Sequence, residues 1–158
     1  MFWFDKSDSR VVFLDKRVET VTMKDCKAKG GYQTMHIRPD VQANFADLPF
    51  KNDTFYMVVF DPPHLVGSGD NCWLTKRYGV LRGNWEAMIA EGFYECFRVL
   101  RPLGALIFKW NETDMPVSRI LALTNERPLF GHKSGKSSKT HWVAFMKSKA
   151  IGALDTEE

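Results

Sequence analysis

An apolar run that ends abruptly on an acid and two prolines constrains the fold of this chain more than any other feature. Residues Phe55–Phe60 are continuously apolar or aromatic, which is typical of a buried strand, and Asp61-Pro62-Pro63-His64 follows them directly. Each proline fixes φ at about −65° and has no N–H to donate, and the first disfavours the α region for Asp61. The sequence therefore predicts a stiff, extended turn at the carboxyl end of a strand, where open α/β sheets bind ligands.

The rest of the chain alternates short apolar runs with helical stretches, which predicts an α/β sheet with an antiparallel closing pair at its end. Residues 20–40 are polar and contain Gly30-Gly31, which predicts a helix or loop followed by a turn. Residues 65–83 are rich in glycine and predict a long loop. The predicted strands are residues 11–14, 41–45, Phe55–Phe60, 105–110, a segment starting at 129–130, and Thr140–Met146, and the predicted helices are residues 85–100, capped by Asn84, and 116–124.

Length and composition limit the class of protein. The 158 residues, 44% of them hydrophobic, predict one globular domain over residues 1–149, with an acidic, frayed tail at 150–158. No apolar stretch approaches the roughly 20 residues of a membrane span, and the N-terminus does not resemble a signal peptide. The three scattered cysteines form neither a zinc spacing nor a disulfide framework, so we expect no metal and a reducing cytoplasm. A net charge of +3 permits a polyanionic partner without predicting one.

Residues 61–64 resemble the Asp-Pro-Pro-aromatic motif of the amino methyltransferases, which transfer a methyl group from S-adenosylmethionine to an exocyclic nitrogen of a nucleic-acid base. Residues 46–55 upstream, and residues 96–110 with their helix, Pro-Gly turn and strand, resemble the same family in the same order. The similarity spans residues 11–147 and is strongest to small phage-type adenine methyltransferases. It implies a Rossmann-like class I methyltransferase sheet, mostly parallel with an antiparallel closing pair, and a minimal N-terminus.

This resemblance implies that Asp61, Pro62, Pro63 and His64 form the catalytic turn. The lone pair of the target amine is delocalised into the base. Hydrogen bonds from that amine to the Asp61 carboxylate and the Pro62 carbonyl favour a pyramidal nitrogen and free its lone pair for attack, mainly through positioning and fixed dipoles. We expect no local donor to compete for these acceptors. The alternative interpretation is a turn that merely ends the sheet.

His64 departs from the commonest family pattern, which has Tyr, Phe or Trp at this position to stack on a flipped base. An imidazole is smaller but still offers a flat face, so we expect it to stack on the target base. A turn histidine without a ligand is the alternative. The departure leaves the identity of the base open, rather than the reaction class.

For the cofactor, S-adenosyl-L-methionine, the resemblance implies contacts from Asp47 and Leu48, with Asp61 at the border of the same site. The Asp47 carboxylate is expected to accept the adenine amino group, and the Leu48 backbone is expected to meet the ring edge. This expectation comes from analogy of position, because Asp47 follows a predicted strand and precedes Leu48-Pro49. A loop acid before a proline turn is the alternative for Asp47.

Two further acids precede these residues. Asp15 ends the predicted strand 11–14, where an acid can accept both ribose hydroxyls, but Lys16-Arg17 beside it makes an ion pair the competing explanation. The glycine-rich turn that normally opens a class I sheet is missing before Asp15. Asp5 is expected to stand near the amino-acid end of the cofactor in its place. Otherwise cofactor binding is weak, is completed by a partner, or is lost.

Basic segments suggest contacts to phosphate groups. Residues 131–137 read G-H-K-S-G-K-S, with three residues between the glycines instead of four and a predicted strand after them instead of a helix, so we reject nucleoside triphosphate binding. The lysines of this region are expected to contact a nucleic-acid backbone, with a solvated loop as the alternative. The residues concerned are Lys133, Lys136 and Lys139, with Lys76, Arg77 and Arg82 as additions. Trp110-Asn111 ends the strand after the Pro-Gly turn and is expected to border the same pocket, with ordinary core and capping roles as the alternative.

We therefore expect an enzyme, an S-adenosylmethionine-dependent N-methyltransferase acting on a nucleic-acid base, with adenine N6 in DNA first. RNA adenine, cytosine N4 and guanine N2 stay open, as does a homo-oligomer, and residues 65–83 are expected to supply any site specificity. A truncated, non-catalytic binding module is favoured by the missing glycine turn, and a small-molecule amine methyltransferase is the third hypothesis. The Asp61-Pro62-Pro63 turn favours the enzyme, because a pure binding module has no use for a positioned amine acceptor.

Overall fold

The computed structural model describes residues 3–24, 30–69, 72–135 and 137–148. Two compact units divide the chain, Met1–Phe45 and Ala46–Glu158. The single domain predicted for residues 1–149 stays a prediction, and the predicted tail at 150–158 lies outside the described residues.

Among its described residues the first unit forms two strand pairs. Strand β1 (Leu14–Asp15) is parallel to β4 (Val41–Gln42), and β2 (Glu19–Lys24) is antiparallel to β3 (Tyr32–Ile37). The strands predicted at 11–14 and 41–45 are therefore present but shorter and shifted.

The helix or loop predicted for residues 20–40 is wrong, because most of this segment forms the β2–β3 hairpin. Its apolar side chains alternate with polar ones at a period of two, and the register pairs Val21 with Met35. Met23 on the same face as Val21 is 4% exposed. The threonines between these residues favour strands but raise the polarity of the segment, which hid the alternation.

The second unit contains a mixed four-stranded sheet and short and long helices. Its strand order is β5-β6-β8-β7, with β5 and β6 parallel and the other two pairings antiparallel. The fold is therefore α/β and ends in the antiparallel pair that the sequence predicts, but this sheet is mixed, not mostly parallel. Its elements are β5 (Phe55–Phe60), α1 (Trp73–Tyr78), α2 (Trp85–Val99), β6 (Leu100–Asn111), α3 (Val117–Leu121), β7 (Phe130–Lys133) and β8 (Thr140–Met146).

Several of these elements match their predictions closely. Strands β5 and β8 have the predicted bounds, and the Asn84 side chain caps α2 by accepting a hydrogen bond from the Ala87 N–H at 3.4 Å. Residues 65–83, which the sequence predicts as a long loop, contain the short helix α1. None of the helices in the described part of the chain has the length and apolarity that a membrane crossing requires.

The Pro-Gly turn after α2 lies inside β6, which begins at Leu100 instead of residue 105. Leu103 adopts a φ of 63°, and a side chain at Gly104 would meet the Arg101 carbonyl oxygen at 2.8 Å. The register with β5 shifts between Phe55 and Met57 at this point. The turn is therefore an irregularity within a continuous strand, for which glycine is needed.

Aromatic packing between α2 and one face of the sheet forms the core of the second unit. Phe93 on α2 contacts Phe108 of β6 and Phe60 of β5, with ring centroids 4.9 and 5.4 Å away. All three rings are at most 4% exposed. Each such burial contributes roughly 1.5–3 kcal/mol, so this cluster holds the carboxyl ends of β5 and β6 together.

A buried acid on α2 ties the chain that precedes β5 to the helix. Glu95, 6% exposed, accepts a hydrogen bond from the Leu48 N–H at 2.7 Å and pairs with Arg98 at 2.6 Å. Arg98 donates in turn to the carbonyl oxygens of Leu48 and Phe50 at 2.9 and 2.8 Å, and to the Asn52 side chain at 2.9 Å. The bond from Arg98 is the main cause that lowers the pKa of Glu95. We call this set the Glu95–Arg98 network.

Replacing Glu95 by glutamine should lower the free energy of unfolding at pH 7 by about 2 kcal/mol, because Arg98 loses its charged partner in a largely buried setting. Urea unfolding measures this change. The matched control is Glu91→Gln, an exposed acid on the same helix, which should change stability by less than about 0.5 kcal/mol.

The pH dependence of this difference gives a second check. A lowered pKa in the folded protein means that the Glu95 contribution is present above its ordinary pKa of 4.5 and is lost as the pH falls through the lowered value. The gap between wild type and Glu95→Gln should therefore close in acid. Equal stability of the two proteins at pH 7 would contradict the role assigned to the network.

Candidate active site

Asp61 lies at the carboxyl end of β5 and pairs with Lys109 of β6. The parallel register matches Phe60 with Phe108, so the next residue on each strand reaches the same edge of the sheet. The Lys109 Nζ donates to both carboxylate oxygens of Asp61, at 2.9 Å each. The two side chains, Lys109 and Asp61, are 27% and 38% exposed, so an incoming group can reach the pair from solvent.

This pairing changes what the Asp61 carboxylate can do. We expected no local donor to compete for it, and the donor that does compete lies 48 positions away on β6. A carboxylate has about four lone-pair sites, so it can accept from Lys109 and from a second donor at the same time. An amine that binds Asp61 therefore shares it with a lysine ammonium, or displaces that ammonium.

The two prolines and the residues after His64 anchor the turn. Pro62 is buried, Pro63 is half-buried, and Leu65 is 4% exposed. The Val66 N–H donates to Asp114 Oδ2 at 2.9 Å, which ties the turn to the loop after β6. Asp61 therefore projects from a backbone that is held on both sides, as a positioned acceptor requires.

His64 is half-buried beside Tyr78 of α1, with ring centroids 5.9 Å apart and planes tilted by 46°. Burial is the main cause that lowers the pKa of His64 below its ordinary value of 6.5, and Lys109 acts in the same direction. Asp61 and Asp114 oppose this shift. Burial therefore favours the neutral form of the imidazole, whose ring face carries no charge.

Leu48 and Asp47 differ in how far their polar groups are already engaged. The Leu48 N–H is donated to Glu95 and its carbonyl oxygen accepts from Arg98, so a ring edge at Leu48 would have to compete with the Glu95–Arg98 network. Asp47 is exposed, and the hydrogen bonds of the network go to its neighbours and not to its carboxylate. The cofactor contacts expected of these two residues stay predictions.

Asp5 and Asp15 lie in the first unit and both have local partners. Asp5 accepts from the Ser7 hydroxyl at 2.7 Å and the Ser7 N–H at 2.8 Å, and these bonds lower its pKa. Asp15 accepts from the Arg17 N–H at 2.9 Å and forms an ion pair with the Arg17 guanidinium at 3.2 Å. The ion pair named as the alternative for Asp15 is thus present, and the cofactor roles of both acids stay predictions.

The basic segment near the end of the chain is partly neutralised. Lys133 Nζ lies 2.7 Å from one carboxylate oxygen of Glu112, and His141 Nε2 lies 2.9 Å from the other. The hydrogen bond from Lys133 is the largest cause, and that from His141 the next, that lowers the pKa of Glu112 to about 2.

The other lysines of this segment differ in what the structure describes. Lys139 is exposed, and Lys136 lies outside the described residues. Lys133 belongs to β7 and the next element is β8, so a strand follows this segment, as the sequence predicts.

Trp110 and Asn111 serve the structure at the end of β6. Trp110 is 1% exposed, and its indole N–H donates to the Met115 carbonyl oxygen at 2.9 Å. Asn111 donates to the Thr140 hydroxyl at 3.1 Å and accepts from the Thr113 N–H at 3.1 Å. These contacts match the core and capping roles considered as the alternative to a pocket border.

Sequence reasoning missed Lys109, Asp114 and Tyr78 as parts of this site. Lys109 carried a usable signal, because it is the charged residue inside the otherwise apolar strand run of residues 105–110. Asp114 and Tyr78 had no such signal. Asp114 lies in the loop after β6 and Tyr78 at the end of α1, and the path of the chain that brings each of them to the turn cannot be read from periodicity.

Comparison of the sequence with models of known protein families and with curated proteins finds no match. The inference about function therefore rests on the residues of this chain and their geometry. The described residues also contain no group of three or more His, Cys, Asp or Glu side chains that could hold a metal ion. The groups that the structure brings together at this edge are the Asp61 carboxylate, the Lys109 ammonium, and the rings of His64 and Tyr78.

NMR titration of the His64 ring should give a pKa below 6.5, because burial disfavours the imidazolium. Lys109→Met should raise this pKa, since a nearby positive charge is removed, and Asp114→Asn should lower it further. Circular dichroism of each variant shows whether the fold survives the substitution. A His64 pKa above 6.5, or one unmoved by both substitutions, would contradict the electrostatics described above.

Proposed function

We propose that the protein is an S-adenosylmethionine-dependent N-methyltransferase of nucleic-acid bases, with adenine N6 in DNA as the first candidate acceptor. The observation that carries the proposal is the Asp61 carboxylate, which is solvent-accessible at a strand end and is held in the partly buried Pro-Pro turn beside the half-buried ring of His64. These are the groups that an exocyclic amine on a flat heterocycle needs, an acceptor for its N–H and a face for its ring.

The topology of the second unit is compatible with this proposal. A parallel pair joined through α2 is followed by an antiparallel pair, in the order β5-β6-β8-β7. The motif lies at the carboxyl end of a parallel strand, where α/β sheets bind their ligands. A Rossmann-like class I methyltransferase sheet, closed by its antiparallel pair, is therefore part of the proposal.

Asp61 has one chemical task in the proposed reaction. It accepts a hydrogen bond from the amine, opposes delocalisation of the nitrogen lone pair into the ring, and keeps that lone pair directed at the incoming methyl group. Lys109 fixes the carboxylate from the other side through two hydrogen bonds. The proton that the methylated nitrogen must lose passes to solvent, which reaches Asp61. The cofactor would supply an electrophilic methyl group, and its S–CH3 bond would break with the electron pair left on sulfur, so that the leaving group is a neutral thioether.

The residues present fit the cofactor in part. The exposed Asp47 carboxylate has the chemistry to accept an adenine amino group, and Asp61 would border the sulfonium end. The Leu48 N–H fits a contact to the adenine ring less well, because it already donates a hydrogen bond to Glu95. We propose Asp47 as the polar cofactor contact of the second unit, with Asp61 at the border of the site, where it acts mainly on the acceptor amine.

A second candidate function is a binding module that retains the fold but transfers no methyl group. Two observations favour it: the engaged Leu48 N–H and the occupation of Asp61 by Lys109. The first candidate ranks higher, because a binding module gains nothing from a carboxylate fixed at a rigid strand end.

Asp61→Asn should lower the rate of methyl transfer to nucleic acid by about 100-fold or more, because the amide loses the charge and keeps a single acceptor oxygen for both Lys109 and the amine. The affinity for S-adenosylmethionine, measured by calorimetry, should stay within about twofold, since the lost interaction acts mainly in the transition state. Transfer is measured with a labelled methyl group at saturating cofactor.

The matched control is Asp53→Asn. Asp53 precedes β5 and pairs with Lys147 at 2.7 Å, so its substitution removes a similar acid–lysine contact at the other end of the strand. This variant should transfer methyl groups at the wild-type rate. A folded Asp61→Asn protein that also does so would refute the mechanism, and transfer to small amines alone would refute the nucleic-acid substrate.

A further inference from the structure

Helix α1 and the candidate turn are held together by a short backbone bridge. Val66 and Leu81 form a parallel bridge, in which the Leu81 N–H donates to the Leu65 carbonyl oxygen at 2.8 Å and the Gly67 N–H donates to the Leu81 carbonyl oxygen at 3.1 Å. Leu65 and Leu81 are 4% and 1% exposed. The chain on both sides of α1 is thereby anchored next to His64, so the helix is a fixed neighbour of the candidate site.

The outer surface of α1 combines two large aromatic rings with a cation. Trp73 and Tyr78 are 49% and 45% exposed. The Arg77 guanidinium lies 5.7 Å from the centroid of the Trp73 ring and 5.5 Å from that of Tyr78, so it spans the two. We call Trp73, Arg77 and Tyr78 the α1 aromatic surface. Its Tyr78 ring lies 5.9 Å from that of His64, which joins the surface to the turn.

Aromatic rings interleaved with a cation suit one kind of ligand. Successive bases of a single strand stack on exposed aromatic side chains, and a guanidinium stacks on bases and pairs with phosphate. A duplex keeps its bases stacked on one another, so it cannot use these ring faces without opening. The chemistry of the surface therefore favours unpaired bases.

We infer that the α1 aromatic surface binds single-stranded nucleic acid, with unpaired bases stacked on Tyr78 and Trp73 and a phosphate paired with Arg77. Tyr78 thereby supplies, from outside the motif, the large aromatic face that His64 lacks. As a statement about the acceptor strand, this inference rests on the proposed function, while the binding itself does not require methyl transfer. DNA and RNA single strands share the chemistry named here.

Fluorescence anisotropy with labelled strands of about 12 nucleotides tests the inference. The probes are an adenine-rich DNA strand, an abasic strand with the same number of phosphates, the corresponding duplex, and an adenine-rich RNA strand. Wild type should bind the base-bearing strands about tenfold more tightly than the abasic strand and more tightly than the duplex. The DNA and RNA arms show which strand is preferred.

Substitutions separate stacking from charge. Tyr78→Leu should weaken binding of the base-bearing strands about fivefold to tenfold and leave the abasic strand unchanged, while Tyr78→Phe should bind like wild type. Arg77→Gln should weaken both kinds of strand and flatten the salt dependence of binding. Tyr94→Leu on α2, where the tyrosine is 62% exposed, is the matched control and should change neither.

Equal affinity of wild type for base-bearing and abasic strands would overturn the inference, as would loss of the aromatic rings at both positions 73 and 78 without effect on binding. Circular dichroism of each variant shows whether α1 and the rest of the fold survive. Single-strand binding that depends on Tyr78, in a protein that transfers no methyl group, would refute the proposed function and leave this inference standing. Methyl transfer that is unaffected by Tyr78→Leu, at subsaturating strand, would refute the inference and leave the function standing.

Discussion

The parallel register of β5 against β6 is the constraint on which the candidate site depends. It matches Phe60 with Phe108, and the aromatic core built on Phe93 holds these two rings in place. Asp61 and Lys109 meet because each follows its core phenylalanine by one position. A slip of one residue would send Lys109 to the opposite face of the sheet, away from Asp61. The position of the site is therefore fixed by apolar packing, to which none of the polar side chains of the site contributes.

The ion pairs Glu95–Arg98 and Asp61–Lys109 contribute differently to the stability of the fold. Glu95 and Arg98 are largely buried and have further hydrogen bonds to the backbone before β5, so their loss leaves polar groups unpaired inside the fold. Asp61 and Lys109 are more exposed, and such pairs contribute little to stability. Asp61 can therefore be altered, or can exchange partners, without loss of the fold, which is what a group that handles a ligand requires.

The sequence predicted those elements that apolar periodicity specifies. Strands β5 and β8 and the Asn84 cap were predicted correctly, because a continuous apolar run, a closing run and a capping residue are local signals. The β2–β3 hairpin was missed because its threonines masked a period of two. The pairing of Asp61 with Lys109 could not be predicted from either strand alone, since it depends on a register between distant segments. The contact between the rings of Tyr78 and His64 could not be predicted either, because it depends on the path of the chain between the two residues.

The most direct test is mass spectrometry of nucleosides after the purified protein has been incubated with nucleic acid and S-adenosylmethionine that carries a deuterated methyl group. Unmethylated DNA and RNA, each single-stranded and duplex, serve as acceptors. We predict a deuterated methyl group on an exocyclic base nitrogen, with N6-methyladenine as the main product. Absence of any deuterated nucleoside, in a preparation shown by calorimetry to bind the cofactor, would contradict the assignment of this strand-end turn as a site of methyl transfer to bases.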